Sequence, residues 1–362
     1  MPCPNLILGF ETSCDETAIA VVRNGNEVLS SVVFSQHEVH APFAGVVPEL
    51  ASRAHLERIV PVLEQALDRA HCQLNQIDAL AVGNRPGLIG SLLVGVSAAK
   101  TLAWTLNRPL IGVDHILAHL WAPCLENQPL DFPALGLVVS GGHTTLMSLT
   151  DPLTTNILGQ TRDDAIGEAF DKAATMLGLP YPGGPSLEKA AKNGHDQAVK
   201  FPIARLSPTS LDFSFSGLKT ALLYEVRGQP PWPKDKREEP DPACCPDRAA
   251  SFQKAAVDAV LLKVDRALTQ WHQLTDMTGP RSLLVGGGVS ANQTLREGLK
   301  SLAQKHSIAL RLANSEYCVD NAAMIAGLAD VYLKAGRIDD LSLSASAQRQ
   351  QAQPLKETRE PS

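Results

Sequence analysis

The stretch Asp114-His115-Ile116-Leu117-Ala118-His119-Leu120-Trp121 carries two histidines four residues apart. On a helix both imidazoles project from one face, one turn apart. Such a pair can hold a metal ion. It can equally be two ordinary histidines on a partly buried helix, because two ligands do not make a metal site. A catalytic zinc-protease helix would read His-Glu-x-x-His, with the glutamate as the base that activates water. Here Ile116, Leu117 and Ala118 intervene, so protease chemistry lacks its base. A binding pair needs at least one further ligand. One candidate is Asp320, in Tyr317-Cys318-Val319-Asp320-Asn321, at the start of a helical segment over 321–335. An aspartate there could also be only a helix cap.

Three other stretches have residue types suited to chemistry. Glu11-Thr12-Ser13-Cys14-Asp15-Glu16-Thr17 packs three carboxylates into seven residues between apolar runs. Asp15 could orient a metal-bound or phosphate-bound group, or act as a general base; a solvated acidic turn would have the same composition. Ser140-Gly141-Gly142 follows an apolar run. Glycines there let the backbone approach a ligand and expose N–H groups to phosphate or carboxylate, or they simply turn a hairpin. Gly286-Gly287-Gly288-Val289-Ser290-Ala291-Asn292 joins a strand to a helix. Three consecutive glycines are costly to order, and a nucleotide base or ribose passing close beneath the turn would be a reason to keep them. Asn292 could supply a polar contact, or Ser290 or Asn292 could merely cap the helix. This is neither the dinucleotide fingerprint nor a Walker loop, which would need G-x-G-x-x-G or Gly-Lys-Ser/Thr.

The elements that must position these residues read as an α/β fold. The apolar runs 5–10 and 18–22 flank the acidic turn, a hairpin whose turn can face a ligand. About 130 residues on, the runs 134–139 and 146–149 flank Ser140–Thr145 in the same way, which points to two related domains, each opening with a hairpin. Residues 48–70 show apolar positions at helical spacing with a charged opposite face. Residues 90–106 form a small-residue, nearly all-apolar helix, preceded by a short strand at 79–82. Further on, helices are expected over 165–177 and 249–274, a Gly/Pro turn at Tyr181–Pro185, and a short buried strand at 282–285. Strands alternating with helices indicate the α/β class. The stretch 228–246 is rich in proline and charge and reads as an exposed loop.

Composition bounds the function. The 362 residues allow two or three domains, and 44% apolar residues allow sizeable cores. A net charge of −6 gives no electrostatic case for nucleic acid, so any RNA must be met by local patches or with a partner's help. Seven scattered cysteines, none in a Cys-x-x-Cys pair, do not make a disulfide framework or a zinc ribbon. The start lacks a basic segment and a cleavage site, and no apolar run approaches the ~20 residues of a membrane span. The expectation is a soluble, cytoplasmic protein without membrane association.

With these residues in view, the chain resembles the bacterial tRNA threonylcarbamoyladenosine transferases, once described as a glycoprotease family, within the actin-like and sugar-kinase superfamily. The resemblance runs from Ile7 to about Leu333. GFETSCDETAIAVV, GVVPELASRAHLERIVP, LVVSGGHTTL, GEAFDKAATMLGLPYPGGP, FSFSGLKTAL, LLVGGGVSANQTLR and YCVDNAAMIA occur in the family's order. It implies two related actin-like (ribonuclease H-like) α/β domains with a central nucleotide cleft. The first would span 1–132 and the second 133–320. A C-terminal helix, about 321–345, would pack back on the first domain, and 346–362 would be a flexible tail.

The resemblance also implies a site. His115, His119 and Asp320 would hold one divalent metal per chain, Fe(2+) with Zn as the alternative. Val138, Val139, Ser140, Gly141, Gly142, Asp171, Gly184 and Asn292 would contact the nucleotide ligand, ATP or threonylcarbamoyl-AMP. Asp15 would be catalytic. The implied reaction passes a threonylcarbamoyl group from L-threonylcarbamoyl-AMP to N6 of adenosine 37 in tRNAs reading codons that start with A. The implied partners are tRNA, a smaller paralogous subunit and a small ATPase. The family usually has an acidic residue between the histidines, many members carry Gly-Pro-Gly where this chain has Arg85-Pro86-Gly87, and some place Asp where this chain has Glu188. A small-molecule kinase or carbamoyltransferase of the same fold is the alternative. It would use the same glycine turns but have little need for the three ligands. A non-catalytic scaffold would not need them either.

Overall fold

The acidic turn's flanking runs form a hairpin that founds the first of two sheets. In the computed structural model, which describes residues 5–43, 45–125, 130–204, 206–207, 209–231, 241–275 and 277–348, β1 (Leu6–Glu11) pairs antiparallel with β2 (Glu16–Arg23). β2 continues the meander into β3 (Glu27–Ser35). After α1 (His37–His40) and α2 (Pro48–Arg69) the chain adds β4 (Ala79–Arg85) parallel to β1. Then α3 (Ile89–Leu106) leads to β5 (Leu110–Asp114), parallel to β4, and β5 runs directly into α4 (His115–Trp121). The order is β3-β2-β1-β4-β5.

The second sheet repeats this plan. β6 (Ala134–Val139), β7 (Thr144–Asp151) and β8 (Thr154–Gln160) form the meander. Next come α5 (Ile166–Met176), α6 (Gly183–Ala191), α7 (Ser216–Arg227), α8 (Cys245–Thr269) and α9 (Trp271–Leu274). β9 (Ser282–Gly286) then lies parallel to β6, α10 (Gln293–Lys305) follows, and β10 (Ala309–Leu312) lies parallel to β9. Read from its meander edge, the order is β8-β7-β6-β9-β10, the counterpart of the first sheet. The repeat expected from two hairpins about 130 residues apart is therefore a repeat of whole sheets.

Both sheets are covered on both faces, which is why β1, β2 and β6 read as nearly continuous apolar runs. On the first sheet, α2 and α3 cover one face, with Phe10, Ile19, Val21 and Leu80 buried against them. The other face takes the last helix, α11 (Ala322–Lys334), which returns from the end of the chain onto β1, β2 and β4. On the second sheet, α5 and α8 bury Phe170, Phe213 and Phe252 on one side. On its other side Ile116 and Leu120 of α4 pack on Ala134, Val138 and Leu284, while Ala118 of the same helix joins the core under the first sheet. The short histidine helix is thus clamped between the two halves.

Several local readings change. The Gly/Pro turn at Tyr181–Pro185 is half helix, since α6 begins at Gly183 with Pro182 as its N-cap. The helix expected over 249–274 begins earlier, with Pro246 in its first turn, and breaks at Gln270 before α9. Of the proline-rich stretch, 232–240 lies outside the described residues. So does 349–362 of the expected tail, but Ser346 is tied down, its N–H donating to the Asn84 carbonyl at 2.9 Å. Contrary to the reading of the apolar runs, α3 is long and apolar enough to cross a membrane by length and composition alone. Here one face of it packs on β4 and α2. Its outer face, with the neighbouring face of α2, leaves Leu56 (65%), Val60, Leu93 and Trp104 (73%) exposed.

Candidate functional site

The three expected ligands come together. Asp114 caps α4, its carboxylate accepting from the Ile116 and Leu117 N–H groups at 2.9 and 3.1 Å, and so fixes where the helix starts. His115 and His119 follow on one face, ring centroids 4.6 Å apart. Asp320, 201 residues beyond His119, reaches both: Oδ1 lies 3.1 Å from His119 Nε2 and 3.5 Å from His115 Nε2. Asp320 does not cap α11; Asn321 does, accepting from the Met324 N–H. One ligand atom from each of the three residues lies within 4.8 Å of the others. Two imidazoles and a carboxylate, the imidazoles fully buried, make a donor set suited to a divalent transition metal.

Charge is balanced within this cluster. Burial by itself would lower the proton affinity of His115, but Asp320 and Glu11 outweigh it and hold His115 well above the usual imidazole value. His119 is pushed below that value, by burial first and then by His115. Burial would raise Asp320, but the two histidines outweigh it and hold its carboxyl well below the usual range.

The acidic turn is not a solvated loop. Glu11 is almost fully buried, and Glu16 is half-buried at the start of β2. Burial first, then the Asp320 and Asp15 carboxylates, push Glu16 well above the usual carboxylate range. Three successive carbonyls of the turn are each held by a different segment. That of Ser13 accepts from Leu88 N–H at the head of α3 (2.8 Å), that of Cys14 from His55 Nε2 on α2 (3.1 Å), and that of Asp15 from Gln36 N–H before α1 (3.0 Å). The imidazole of His55 is satisfied as the Nε2–H tautomer, because the one lone pair of Nδ1 accepts from Thr17 Oγ1 at 2.8 Å, with Gln36 Nε2 a longer contact at 3.2 Å. Thr12 Oγ donates to the Ser91 carbonyl and accepts from Gly95 N–H, both on α3. Asp15 is thereby presented on a fixed loop.

Across from this turn lie the glycine turns. Two adjoining pockets, of about 600 and 460 Å³, share Asp15, Glu16, Gly141, Tyr181, Gly288 and Val319 in their walls. The larger is also lined by Asp171, Gly184 and Asn292. The smaller reaches Ser140, Gly142, His115 and Asp320, and Ala347 of the C-terminal segment closes one side of it. Gly141, Gly142 and Gly184 have no atom within 4 Å of where a Cβ would sit, so their backbones face open space. Asp171 accepts from Gly183 N–H at 2.8 Å, and burial raises its proton affinity. His37 stacks on Tyr181 across the cleft, centroids 4.6 Å apart.

Some expected residues stand differently. Val138 and Val139 sit on β6 with their side chains in cores on opposite faces, so they line neither pocket and can offer only backbone. His119 lies behind His115 and Asp320 and lines neither pocket. Asn292 caps α10 through Leu295 N–H and donates to Gln253 Oε1, so the capping reading holds, and it also lines the larger pocket. Sequence reasoning named Glu11, Glu16 and Tyr181 only as members of turns and gave them and His55 no role of their own, because residue type alone carries no sign of burial.

Two sheets of one topology, closed on a cleft with a glycine turn on one wall and an acidic turn on the other, define an actin-like α/β fold. Among solved structures, the HypF of T. kodakarensis shares this fold over 92% of this chain and 48% of its own, with a TM-score of 0.58 and 15% identity. The family model described as TsaD, tRNA N6-adenosine threonylcarbamoyltransferase, matches residues 27–327. Proteins of that name from Trichlorobacter lovleyi and Syntrophomonas wolfei are 51% and 45% identical over 342 and 341 residues, each match covering 94% of this chain and 96% of theirs. The chain belongs to the tRNA N6-adenosine threonylcarbamoyltransferase family, a family of acyl-transferring, tRNA-modifying enzymes.

Proposed function

We propose that this chain forms threonylcarbamoyladenosine by taking the threonylcarbamoyl group from L-threonylcarbamoyl-AMP and passing it to N6 of adenosine 37 in tRNAs that read codons starting with A. The observation that carries the reading is the single cleft in which Asp15, the open backbones of Gly141, Gly142 and Gly184, and the His115–Asp320 edge of the trio face one another. Asp171 and Gly184 stand where the larger pocket would receive the nucleotide, and the backbones of Ser140–Gly142 stand where its phosphate would lie. The amine nitrogen attacks the carbamoyl carbon. A C–N bond forms, the C–O bond to the phosphate breaks, and AMP leaves with the bonding pair. Asp15 accepts the amine proton, and its braced turn keeps it placed for that transfer. His115, His119 and Asp320 would hold one divalent metal, iron(II) with zinc as the alternative occupant, and a metal bound there supplies Lewis-acid polarisation of the acyl donor.

We further propose residues 1–132 and 133–320 as the two domains, with 321–345 returned to the first and 346–362 as a tail. The smaller paralogous subunit and the small ATPase are the proposed partners, in the cytoplasm. The exposed apolar face of α2 and α3 supports the need for a protein partner, since large uncovered apolar surface is unfavourable on a lone chain.

The test supplies the chain and its partner proteins with L-threonylcarbamoyl-AMP and unmodified tRNA, then digests the tRNA and looks for threonylcarbamoyladenosine by mass spectrometry. Product is expected from wild type and lost in His119→Ala, while Asp15→Asn should lower kcat by about 10²–10⁴ with little change in KM. No product from wild type, with the donor intact, overturns the reading and favours a small-molecule acceptor.

A further inference from the structure

We infer that Glu11 is the positioning residue for the metal ligand His115: it accepts the hydrogen bond from the ring's Nδ1–H and so turns Nε2 toward the ion; the inference rests on the metal reading proposed above. Glu11 is the last residue of β1 and is 1% exposed. A carboxylate buried so deeply needs partners for its oxygens. One oxygen accepts from Ser13 N–H at 2.5 Å, and the other lies 3.0 Å from His115 Nδ1. A carboxylate can only accept, so the ring carries a proton on Nδ1 toward Glu11, with Ser13 Oγ a longer contact to the same nitrogen at 3.3 Å. Nε2 then faces Asp320, 3.5 Å away. The neighbouring strand makes room for this contact. A Cβ at Gly83 on β4 would lie within van der Waals overlap of Glu11 Oε2, so any larger residue there displaces the carboxylate. Among the described residues the buried Nδ1 of His119 has no hydrogen-bond partner, so no carboxylate stands behind that ring as Glu11 stands behind His115. On the side away from Asp320 the two imidazoles are therefore held by different means, one by a carboxylate and the other by packing.

A competing account makes Glu11 a turn residue only, present to hold Ser13 N–H. Glu11→Gln separates the two. The amide oxygen can still accept from Ser13 N–H, which turns the NH2 group toward His115 Nδ1. That nitrogen must then accept, the proton moves to Nε2, and the nitrogen that faces Asp320 no longer offers a lone pair to a metal. A turn-only role predicts no change in metal binding for Glu11→Gln.

The experiment measures Zn(II) affinity by chelator competition and the visible absorption of the Co(II) form, on full-length wild type and Glu11→Gln, with urea midpoints as a check on folding. The expected result is a 10- to 100-fold loss of affinity, about the range found when a carboxylate behind a histidine ligand is removed, with an altered cobalt spectrum. Equal affinity and an unchanged spectrum in a folded Glu11→Gln overturn the inference. A wild type that binds neither ion overturns the metal reading and this inference with it. Should Glu11→Gln fail to fold, Gly83→Ala carries the same test from the β4 side: weakened binding supports the inference and unchanged binding overturns it.

Discussion

Replacing Gly286 by alanine tests how the fold holds the histidine helix. Gly286 ends β9, and α4 crosses directly over it. A Cβ at position 286 would overlap the His119 carbonyl oxygen and lie 2.6 Å from its carbon. Ordinary contact begins near 3.4 Å, so relieving the carbon contact alone parts α4 and β9 by about 0.8 Å. The obstacle is backbone, not a side-chain end that can swing away. α4 cannot slide freely either, because Ile116, Ala118 and Leu120 are seated in two cores. Overpacking of this kind costs ~1–3 kcal/mol, and the upper end is expected here. Metal ligands tolerate displacements of only ~0.2 Å, so a shift of that size carries His119 out of reach. Urea unfolding should show a loss of about 3 kcal/mol in stability. Chelator competition, read in conditions where the variant remains folded, should show metal affinity reduced about 10- to 100-fold. A Gly286→Ala protein with wild-type urea midpoint and wild-type affinity would refute the claim that this backbone contact sets the ligand.

Further outcomes follow from the buried ionisable groups. The imidazole of His55 is lowered by burial, so its contribution to stability is present above the usual value of 6.5 and is lost as pH falls through the lower folded value. Urea midpoints of His55→Gln should lie below wild type at pH 7.5, by about 1–3 kcal/mol, with the gap closing toward pH 5. Asp171 is raised by burial, so the stability it contributes is present below the unfolded value near 3.8 and is lost as pH rises through the folded value. Asp171→Asn should therefore be no less stable than wild type at pH 7 while binding the nucleotide more weakly, as read by calorimetry with ATP. Removing metal with a chelator should lower the thermal midpoint of wild type but not of His119→Ala; at a free metal concentration 100 times Kd the linkage amounts to about 2.7 kcal/mol.

Much of this was legible in the residues because period and turn chemistry survive in the sequence. The strand expected over 134–139 is β6 to the residue, and the helix expected over 48–70 is α2 within one. What escaped was decided by neighbours far along the chain. β5, LIGVD, is five residues long and too short to show a period. Asp320 is an ordinary helix-start aspartate until the returning segment before α11 brings it beside α4, and no spacing rule links residues 119 and 320. Glu11 and Asp15 look alike as acids in one turn, yet one is sealed beside His115 and the other faces the cleft. Burial is a property of the assembled fold, so sequence placed the acids together but did not separate their work. The same limit explains Val138 and Val139, whose position beside the glycine turn was correct and whose side chains belong to the cores.

The distance along the chain between His119 and Asp320 also sets an order of events during synthesis. The histidine pair leaves the ribosome 201 residues ahead of the carboxylate. At ~5–20 residues per second, that interval is on the order of 10–40 s. During it a nascent chain holds two ligands and no third. The second sheet must be made, and the segment before α11 must come back to the first, before three donors meet. Any ion retained by the trio is therefore acquired after nearly the whole chain has been made, and stopping translation short of Asp320 yields a chain with no capture site to load.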